Sequence, residues 1–327
     1  MTQPIRRASL LAILPLYLTL ATALGFVDYH VRPYPENGFS TYVPSVLNGT
    51  EPAPGKYRLL APHAYAWLSR TTQLRPIEVW VLFRWLCLVA ALAAGHWYFT
   101  TWFSDGIAAA ANALMFALLP LTFTNSWPNP DQFTELALFT LGCACIARSA
   151  IPLFGVVLLL NAFNRETSVF LVVLFALAEP MTRRRLMWTA ACAAEWLSVY
   201  VGLRLRLGYE AYDMFQLSNN LGRLVPMDRV RPPYYRIYGW FFWILLLPLF
   251  WLNAMSWRTA PRFVRVAAGI VAPAFVLVSF LFSSVIESRI FTPLIPLLMP
   301  GVMMALGVAV GSDLALQGPQ PTLQRKI

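Results

Sequence analysis

Charge is scarce in this sequence. Only 12% of the 327 residues are charged, whereas 58% are hydrophobic, and the mean hydropathy is +0.58. About 25% of the residues of an ordinary soluble domain are charged. An ordinary soluble fold is therefore excluded, and the composition predicts an all-α polytopic membrane protein built as a single transmembrane domain over residues 1–327.

Cysteine and lysine are also scarce. The four cysteines lie within apolar runs and show neither a disulfide framework nor zinc-ligand spacing, so we expect small buried residues. Lysine occurs twice, so the net charge of +10 comes from 23 arginines. In a soluble protein such a charge suggests nucleic acid. In a membrane it favours phosphate-bearing lipid, because guanidinium binds phosphate in a bidentate fork.

Long uncharged runs indicate the membrane spans. A helix that crosses the hydrocarbon layer needs roughly 20 residues. Strong runs cover residues 8–27, 107–127, 237–257, 266–286 and 290–312, and weaker ones cover 79–103, 132–147 and 186–203. The first run lacks the small-residue pattern of a cleaved signal peptide, so we keep it as the first span.

The stretch "LLLNAFNRETSVFLVVL" places Arg165 and Glu166 side by side in an apolar region. Residues 151–178 form either one long crossing or a hairpin of two short helices that turns at "NRET". The positive-inside rule places three groups of arginines on the cytoplasmic face: those that precede residue 8, those at 183–185 and those within 258–265. Only the hairpin satisfies this rule. It predicts about ten hydrophobic segments with both termini cytoplasmic, including a tail at 313–327.

Two interpretations of the adjacent pair stay open. It is either a mutually neutralised structural pair between helices, or Arg165 projects into a polar cavity and holds an anionic group. Ionisable residues at membrane depth are functional candidates by default. Arg84 and Glu195 lie on two other predicted spans, and we expect them to pair with each other and hold the bundle together.

Two long outer loops, at 28–78 and 207–236, are expected to carry function. The first begins with Asp28 and contains Glu36. Its segment "YRLLAPHAYAWLSR", with Arg58 and His63, has the spacing of an amphipathic interfacial helix. The second loop, with Arg231 among its arginines and tyrosines, suits a sugar or lipid headgroup or forms an ordinary aromatic belt with snorkelling arginines.

Acidic residues recur near the same predicted face. "SWPNPDQFTE" places Asp131 and Glu135 at i and i+4, on one side of a helix. Glu287 and Arg289 fall at the short turn between the last two spans. Each acid alone is weak evidence, because helix caps and surface acids are common.

Together these features resemble the GT-C superfamily of integral-membrane glycosyltransferases. They are the long first outer loop with an acid directly after the first span, the "YRLLAP" helix, the "NRET" turn and "ESRIFTPLIPLLMP". The resemblance covers most of the chain as an architecture, through short and degenerate motifs. It implies a polyprenyl-phosphate-linked sugar donor, inverting transfer to a lipid or glycan acceptor on the outer face, and Asp28 as general base.

Glu36 and His63 are the further catalytic candidates. The sequence has one acid after the first span rather than an adjacent acidic pair, and it has no large soluble C-terminal domain. These departures leave the acceptor and metal dependence open: no cofactor is certain, and a divalent cation is possible.

Inverting transfer supplies a physical reason for the candidate residues. A carboxylate takes the proton of the acceptor hydroxyl, and cations meet the negative charge that develops on the departing phosphate. Arg58 and Arg165 are the first candidates for binding that phosphate, and Arg289 and Arg231 are the next. The remaining substrate-binding candidates are Glu166, Asp131 and Glu287.

Other functions remain open. A transporter or flippase of lipid-linked saccharides, or a non-catalytic membrane subunit, would also place arginines in a cavity. A transporter should show repeated broken helices in two halves, and only one candidate pair is evident, at 151–178. An O-antigen polymerase or ligase would act on the same face. The compact loops favour a bacterial inner membrane.

Overall fold

The structure, a computed structural model, describes residues 6–31, 36–123, 129–211, 215–224, 245–284 and 287–309. Within these ranges every regular element is helical and no strand occurs. The predicted all-α class is confirmed. The segments around Arg231 and the tail at 313–327 lie outside the described residues.

The helices follow one another in this order. The first half comprises α1 Arg6–Val31, α2 Val43–Leu47, α3 Leu60–Thr72, α4 Pro76–Phe99, α5 Asp105–Leu118, α6 Asp131–Ala147 and α7 Ile151–Asn164. The second half comprises α8 Val169–Leu177, α9 Arg183–Leu207, α10 Leu217–Leu224, α11 Leu245–Met255, α12 Arg262–Val266, α13 Ala272–Phe282 and α14 Leu294–Ala309. A π-helical stretch, Ala267–Val271, joins α12 and α13 into one rod.

Four described helices are long and apolar enough to cross a membrane, namely Pro76–Phe99, Asp105–Thr122, Arg183–Leu207 and Arg262–Phe282. Shorter apolar helices cover Ile151–Asn164, Glu166–Leu177, Leu245–Met255 and Leu294–Ala309. These features are compatible with an integral membrane protein. Together they are eight apolar helices in the described part of the chain, against an expected count of about ten hydrophobic segments over the whole sequence.

Helix α4 lies at the centre of the core, where it packs against α1, α5 and α6. A small residue allows one of these close approaches. A Cβ added to Gly95 of α4 would lie 2.1 Å from Asn112 Oδ1 of α5. The amide of Asn112 donates to the carbonyl of Leu92 at 3.0 Å, so a polar bond crosses the apolar interface. Small residues that bring backbones together, with a polar bond across the contact, are typical of helix packing in membranes.

Helices α7 and α8 run back along each other. The ring of Phe154 stacks on that of Phe175, with centroids 5.1 Å apart. Beyond them the hydroxyl of Ser149 lies 3.1 Å from a carboxylate oxygen of Glu179. The reversal takes place at Arg165, whose backbone is extended at φ −158° and ψ 147°, followed by a single 3-10 turn at Glu166–Ser168. The extended residue ends α7 and directs its side chain toward α6.

The first predicted outer loop is largely helical. Helix α1 continues to Val31, so Asp28 lies in its last turn rather than after its end. A π-helical turn at Gly38–Tyr42 and the short α2 follow, and α3 covers most of the amphipathic segment. In the described part of this loop most side chains therefore stand on helical backbone, and Arg58 lies against the hairpin turn.

Candidate functional site

A cluster of buried charged side chains is the most distinctive feature of the structure. Its core is Arg58, Asp131, Glu135, Arg165 and Glu166, which we call the charge cluster. These residues come from the segment before α3, from the first turns of α6 and from the turn between α7 and α8. Segments distant in sequence therefore converge on one site.

Arg165 binds helix α6 and not its neighbour in sequence. Its Nε lies 3.3 Å from Asp131 Oδ2, and its Nη1 donates to Glu135 Oε2. The hydroxyl of Thr167 donates to the other oxygen of Glu135. Because Asp131 and Glu135 are one turn apart on the same face, a single guanidinium reaches both. Arg165 is only 4% exposed, so its charge is compensated inside the protein.

Arg58 lies between two carboxylates of the cluster, those of Asp131 and Glu166. Its Nη1 donates to Asp131 Oδ2 at 3.1 Å, and its Nε lies 3.8 Å from Glu166 Oε2. Burial disfavours the charged form of Arg58, but the carboxylates of Asp131 and Glu166 outweigh this effect and raise its pKa above the usual value. Arg58 is therefore a permanent cation.

Arg204, in the last turn of α9, was not among the predicted residues. Its Nη2 lies 3.7 Å from Glu166 Oε1. Its guanidinium carbon lies 4.4 Å from the ring centroid of Tyr57 and 3.4 Å from that of Tyr200. The tyrosine faces stabilise the cation and fix its position. The only signal in the sequence is a pair of arginines at the end of a span, which is common at helix C-termini.

Glu287 and Arg289 lie beside the cluster, before α14. Arg289 donates to Glu287 Oε2 from Nη2 at 2.8 Å and from Nε at 3.1 Å. Burial alone would raise the pKa of Glu287, but the charge of Arg289, supported by those of Arg58 and Arg165, lowers it below the usual value. The fields of all three arginines therefore reach Glu287, whose side chain is 35% exposed.

Among the described residues, the cluster and its neighbours balance in charge. Four arginines (58, 165, 204, 289) stand against four carboxylates (131, 135, 166, 287). An anion that enters must therefore compete with a carboxylate that already faces the guanidinium it needs.

Asp28 belongs to a separate buried pair. Both Nε and Nη2 of Arg84 lie 2.7 Å from Asp28 Oδ2, and Arg84 Nη1 donates to the carbonyl of Asn129 at 2.9 Å. The expected pairing of Arg84 with Glu195 is wrong, because α4 meets the end of α1 and not α9. Glu195 lies against α7 instead, where its Oε2 is 3.9 Å from a Cβ built on Gly155. The segment 129–131 connects the Asp28 pair to the charge cluster.

The other predicted catalytic residues lie apart from these clusters. Glu36 and His63 are exposed, and the ring of His63 bonds to the carbonyl of Leu59 at 2.8 Å. Among the described residues neither shares an ion pair or hydrogen bond with the charge cluster. Arg231 lies outside the described residues.

A small cleft opens at one side of the charge cluster, between α7 and α9. Its lining includes Arg165, Glu166, Arg204, Tyr200 and Trp196. Charged and aromatic side chains therefore meet at its wall.

Within the described residues, the charge cluster is not arranged as a metal centre. Across the part of the chain that the structure describes, no three histidine, cysteine, aspartate or glutamate side chains gather as metal ligands. The carboxylates of Asp131 and Glu135 face arginines instead.

Comparison of the chain with protein families, with curated proteins and with solved structures finds no match.

Proposed function

We propose that this protein is an inverting membrane glycosyltransferase of the GT-C kind. It would transfer a sugar from a polyprenyl-phosphate donor to a lipid or glycan acceptor on the outer face of a bacterial inner membrane. In this arrangement about ten hydrophobic segments cross or enter the bilayer, and both termini are cytoplasmic. The observation that carries the proposal is the convergence of Arg58, Arg165 and Arg289 with several carboxylates.

The arginines suit the leaving group of such a transfer. As the bond to the sugar breaks, negative charge develops on the polyprenyl phosphate. Guanidinium groups held by protein contacts meet that charge without reorganisation, and their planar fork matches phosphate oxygens. Asp131 holds Arg58 and Arg165 in this way, because both guanidinium groups contact its Oδ2.

The acceptor hydroxyl needs a carboxylate that it can reach. Glu287 satisfies this condition, because its side chain is 35% exposed and stays ionised beside Arg289. Asp28, to which the resemblance assigns this role, is 3% exposed and paired with Arg84. We therefore assign proton abstraction to Glu287 and a positioning role to Asp28.

A transfer assay tests the proposal. Purified protein in detergent or liposomes would receive a panel of radiolabelled polyprenyl-phosphate sugars together with lipid and glycan acceptors. We expect transfer by the wild type, loss of about 10²-fold or more in kcat for Glu287→Gln, and a pH profile that changes in that variant alone. Glu210→Gln, which removes an exposed carboxylate paired with Lys56 at 2.7 Å, is the matched control.

Other results would redirect the assignment. Full transfer by Glu287→Gln and none by a folded Asp28→Asn would return the role of base to Asp28. Saturable donor binding with no transfer to any acceptor would contradict the enzyme and favour the transporter or accessory subunit. Transfer of preassembled glycans only would favour the polymerase or ligase.

A further inference from the structure

Glu166 occupies a loose position between two guanidinium groups. Its Oε2 lies 3.8 Å from Arg58 Nε, and its Oε1 lies 3.7 Å from Arg204 Nη2. Both distances exceed the 2.7–2.9 Å typical of a charge-assisted hydrogen bond. Within the described part of the chain, Glu166 Oε1, Arg58 Nε and Arg204 Nη2 are buried and have no hydrogen-bond partner. The charges attract, but the bonds are not made.

Buried polar atoms in this condition are costly. A buried donor or acceptor without a partner loses its hydration and gains little in return. By contrast, Arg165 is bonded to α6, and the other half of Arg58 is bonded to Asp131. Two donors directed at the same carboxylate, neither within bonding distance, are therefore a preformed arrangement for a larger anion.

The geometry of Arg204 shows that its position is built and not accidental. The rings of Tyr57 and Tyr200 flank its guanidinium, and its Nη1 donates to the carbonyl of Tyr200 at 3.1 Å. The hydroxyl of Tyr57 donates in turn to the carbonyl of Gly208, which ties the first outer loop to the end of α9. Arg204 is therefore held by its neighbours without being saturated by them.

The surroundings of the cleft are apolar. Only 17% of the apolar stretch of α9 is buried inside the protein. On the same helix Leu197, Val201 and Leu205 are 53%, 41% and 80% exposed. On α7, which packs against α9, Val156 and Leu160 are also exposed. A hydrocarbon chain attached to an anion in the cleft would therefore find exposed apolar side chains on both helices.

We infer that the carboxylate of Glu166 is a displaceable stand-in for the phosphate headgroup of a lipid. On binding, the phosphate takes the place of Glu166 between Arg58 and Arg204, while Glu166, which is 27% exposed, turns to water. The inference rests on the proposed function for the class of ligand. It adds that the site is occupied by the protein's own anion until a lipid phosphate replaces it.

The test uses farnesyl phosphate as the probe, with the full-length protein in a neutral detergent and binding followed by calorimetry. Replacing Glu166 with glutamine removes the competing charge and keeps the shape of the side chain. We expect Glu166→Gln to bind farnesyl phosphate roughly tenfold more tightly than the wild type, because one charge contact near a protein surface contributes at least that factor. Arg204→Gln should bind it at least tenfold more weakly.

The controls separate charge, chain and position. Glu210→Gln removes a nearby carboxylate outside the cleft and should leave the affinity unchanged. Farnesol carries the chain without the anion and should bind equally to the wild type and to Glu166→Gln. Inorganic phosphate carries the anion without the chain and should bind far more weakly than farnesyl phosphate.

Several outcomes would overturn the inference. They are unchanged or weaker binding in Glu166→Gln, an equal gain in Glu210→Gln, and no binding of farnesyl phosphate to any variant. Inorganic phosphate that binds as tightly as farnesyl phosphate would show a site for free phosphate instead. If the protein transfers sugar but Glu166→Gln does not change its affinity for farnesyl phosphate, the inference fails and the proposed function stands. If Glu166→Gln tightens the binding of farnesyl phosphate but no sugar is transferred, the inference stands and the proposed function fails.

Discussion

The buried pair of Asp28 and Arg84 gives the sharpest test of the structure. Asp28→Asn removes the negative partner and leaves the guanidinium in an apolar interior, since Arg84 is 3% exposed. Breaking a buried ion pair in this way typically costs 3–5 kcal/mol of folding free energy, because the remaining charge is uncompensated.

The surroundings of Arg84 reduce this cost. Its guanidinium carbon lies 4.2 Å from the ring centroid of Phe133 and 5.1 Å from that of Trp80, and its hydrogen bond to the carbonyl of Asn129 survives the substitution. Cation–π contacts contribute about 0.5–2 kcal/mol each. We therefore expect Asp28→Asn to lower the free energy of unfolding by about 2–4 kcal/mol.

A double-mutant cycle isolates the pair. Arg84→Met alone removes the guanidinium that contacts the buried Asp28 and should destabilise the protein by a similar amount. The double variant Asp28→Asn, Arg84→Met carries neither charge, and we expect it to lie within about 2 kcal/mol of the wild type. The measurement is reversible denaturant unfolding in detergent micelles, with the coupling energy taken from the four corners.

The result also governs the reading of the transfer assay. If Asp28→Asn is as stable as the wild type, or if the two single variants are additive, the buried pair does not exist as described. If Asp28 and Arg84 are coupled, Asp28→Asn is less stable than the wild type, and it can lose transfer because part of the protein is unfolded. The assay must therefore be run under conditions in which the variant is fully folded. The double variant is then the proper test of a catalytic role.

Two further predictions concern other parts of the molecule. Gly301→Ala should destabilise the protein by about 1–3 kcal/mol in the same unfolding assay, since the new Cβ would lie 1.9 Å from the buried Oδ1 of Asn253. Gly202→Ala in α9, with no atom within 4 Å of its new Cβ, is the control and should be neutral or stabilising; equal effects of the two would contradict the close contact. Glu287 has a lowered pKa, so its contribution to stability is present above the ordinary glutamate value of about 4.3 and is lost as the pH falls through the lower folded value. Glu287→Gln should remove that acid-side loss in a pH titration of unfolding, and an unchanged profile would refute the shift.

The sequence by itself determined the class of the protein and part of the site. Composition and the period of the apolar residues specify helices in a membrane, because those properties depend on local chain chemistry alone. Local spacing also placed Asp131 and Glu135 on one face, since residues four apart are neighbours on any helix. The "NRET" turn stood out for a comparable reason, because charges in an apolar run are visible without knowledge of their partners.

The tertiary structure alone decided which charges meet. Arg84 could have paired with an acid on any neighbouring helix, and the packing of α4 against the end of α1 selects Asp28 over Glu195. Likewise Arg165 turns from the adjacent Glu166 to α6, and Glu166 is left between Arg58 and Arg204. The physical reason is range: an ion pair depends on separations of a few ångströms, and helix packing, not position along the chain, sets them.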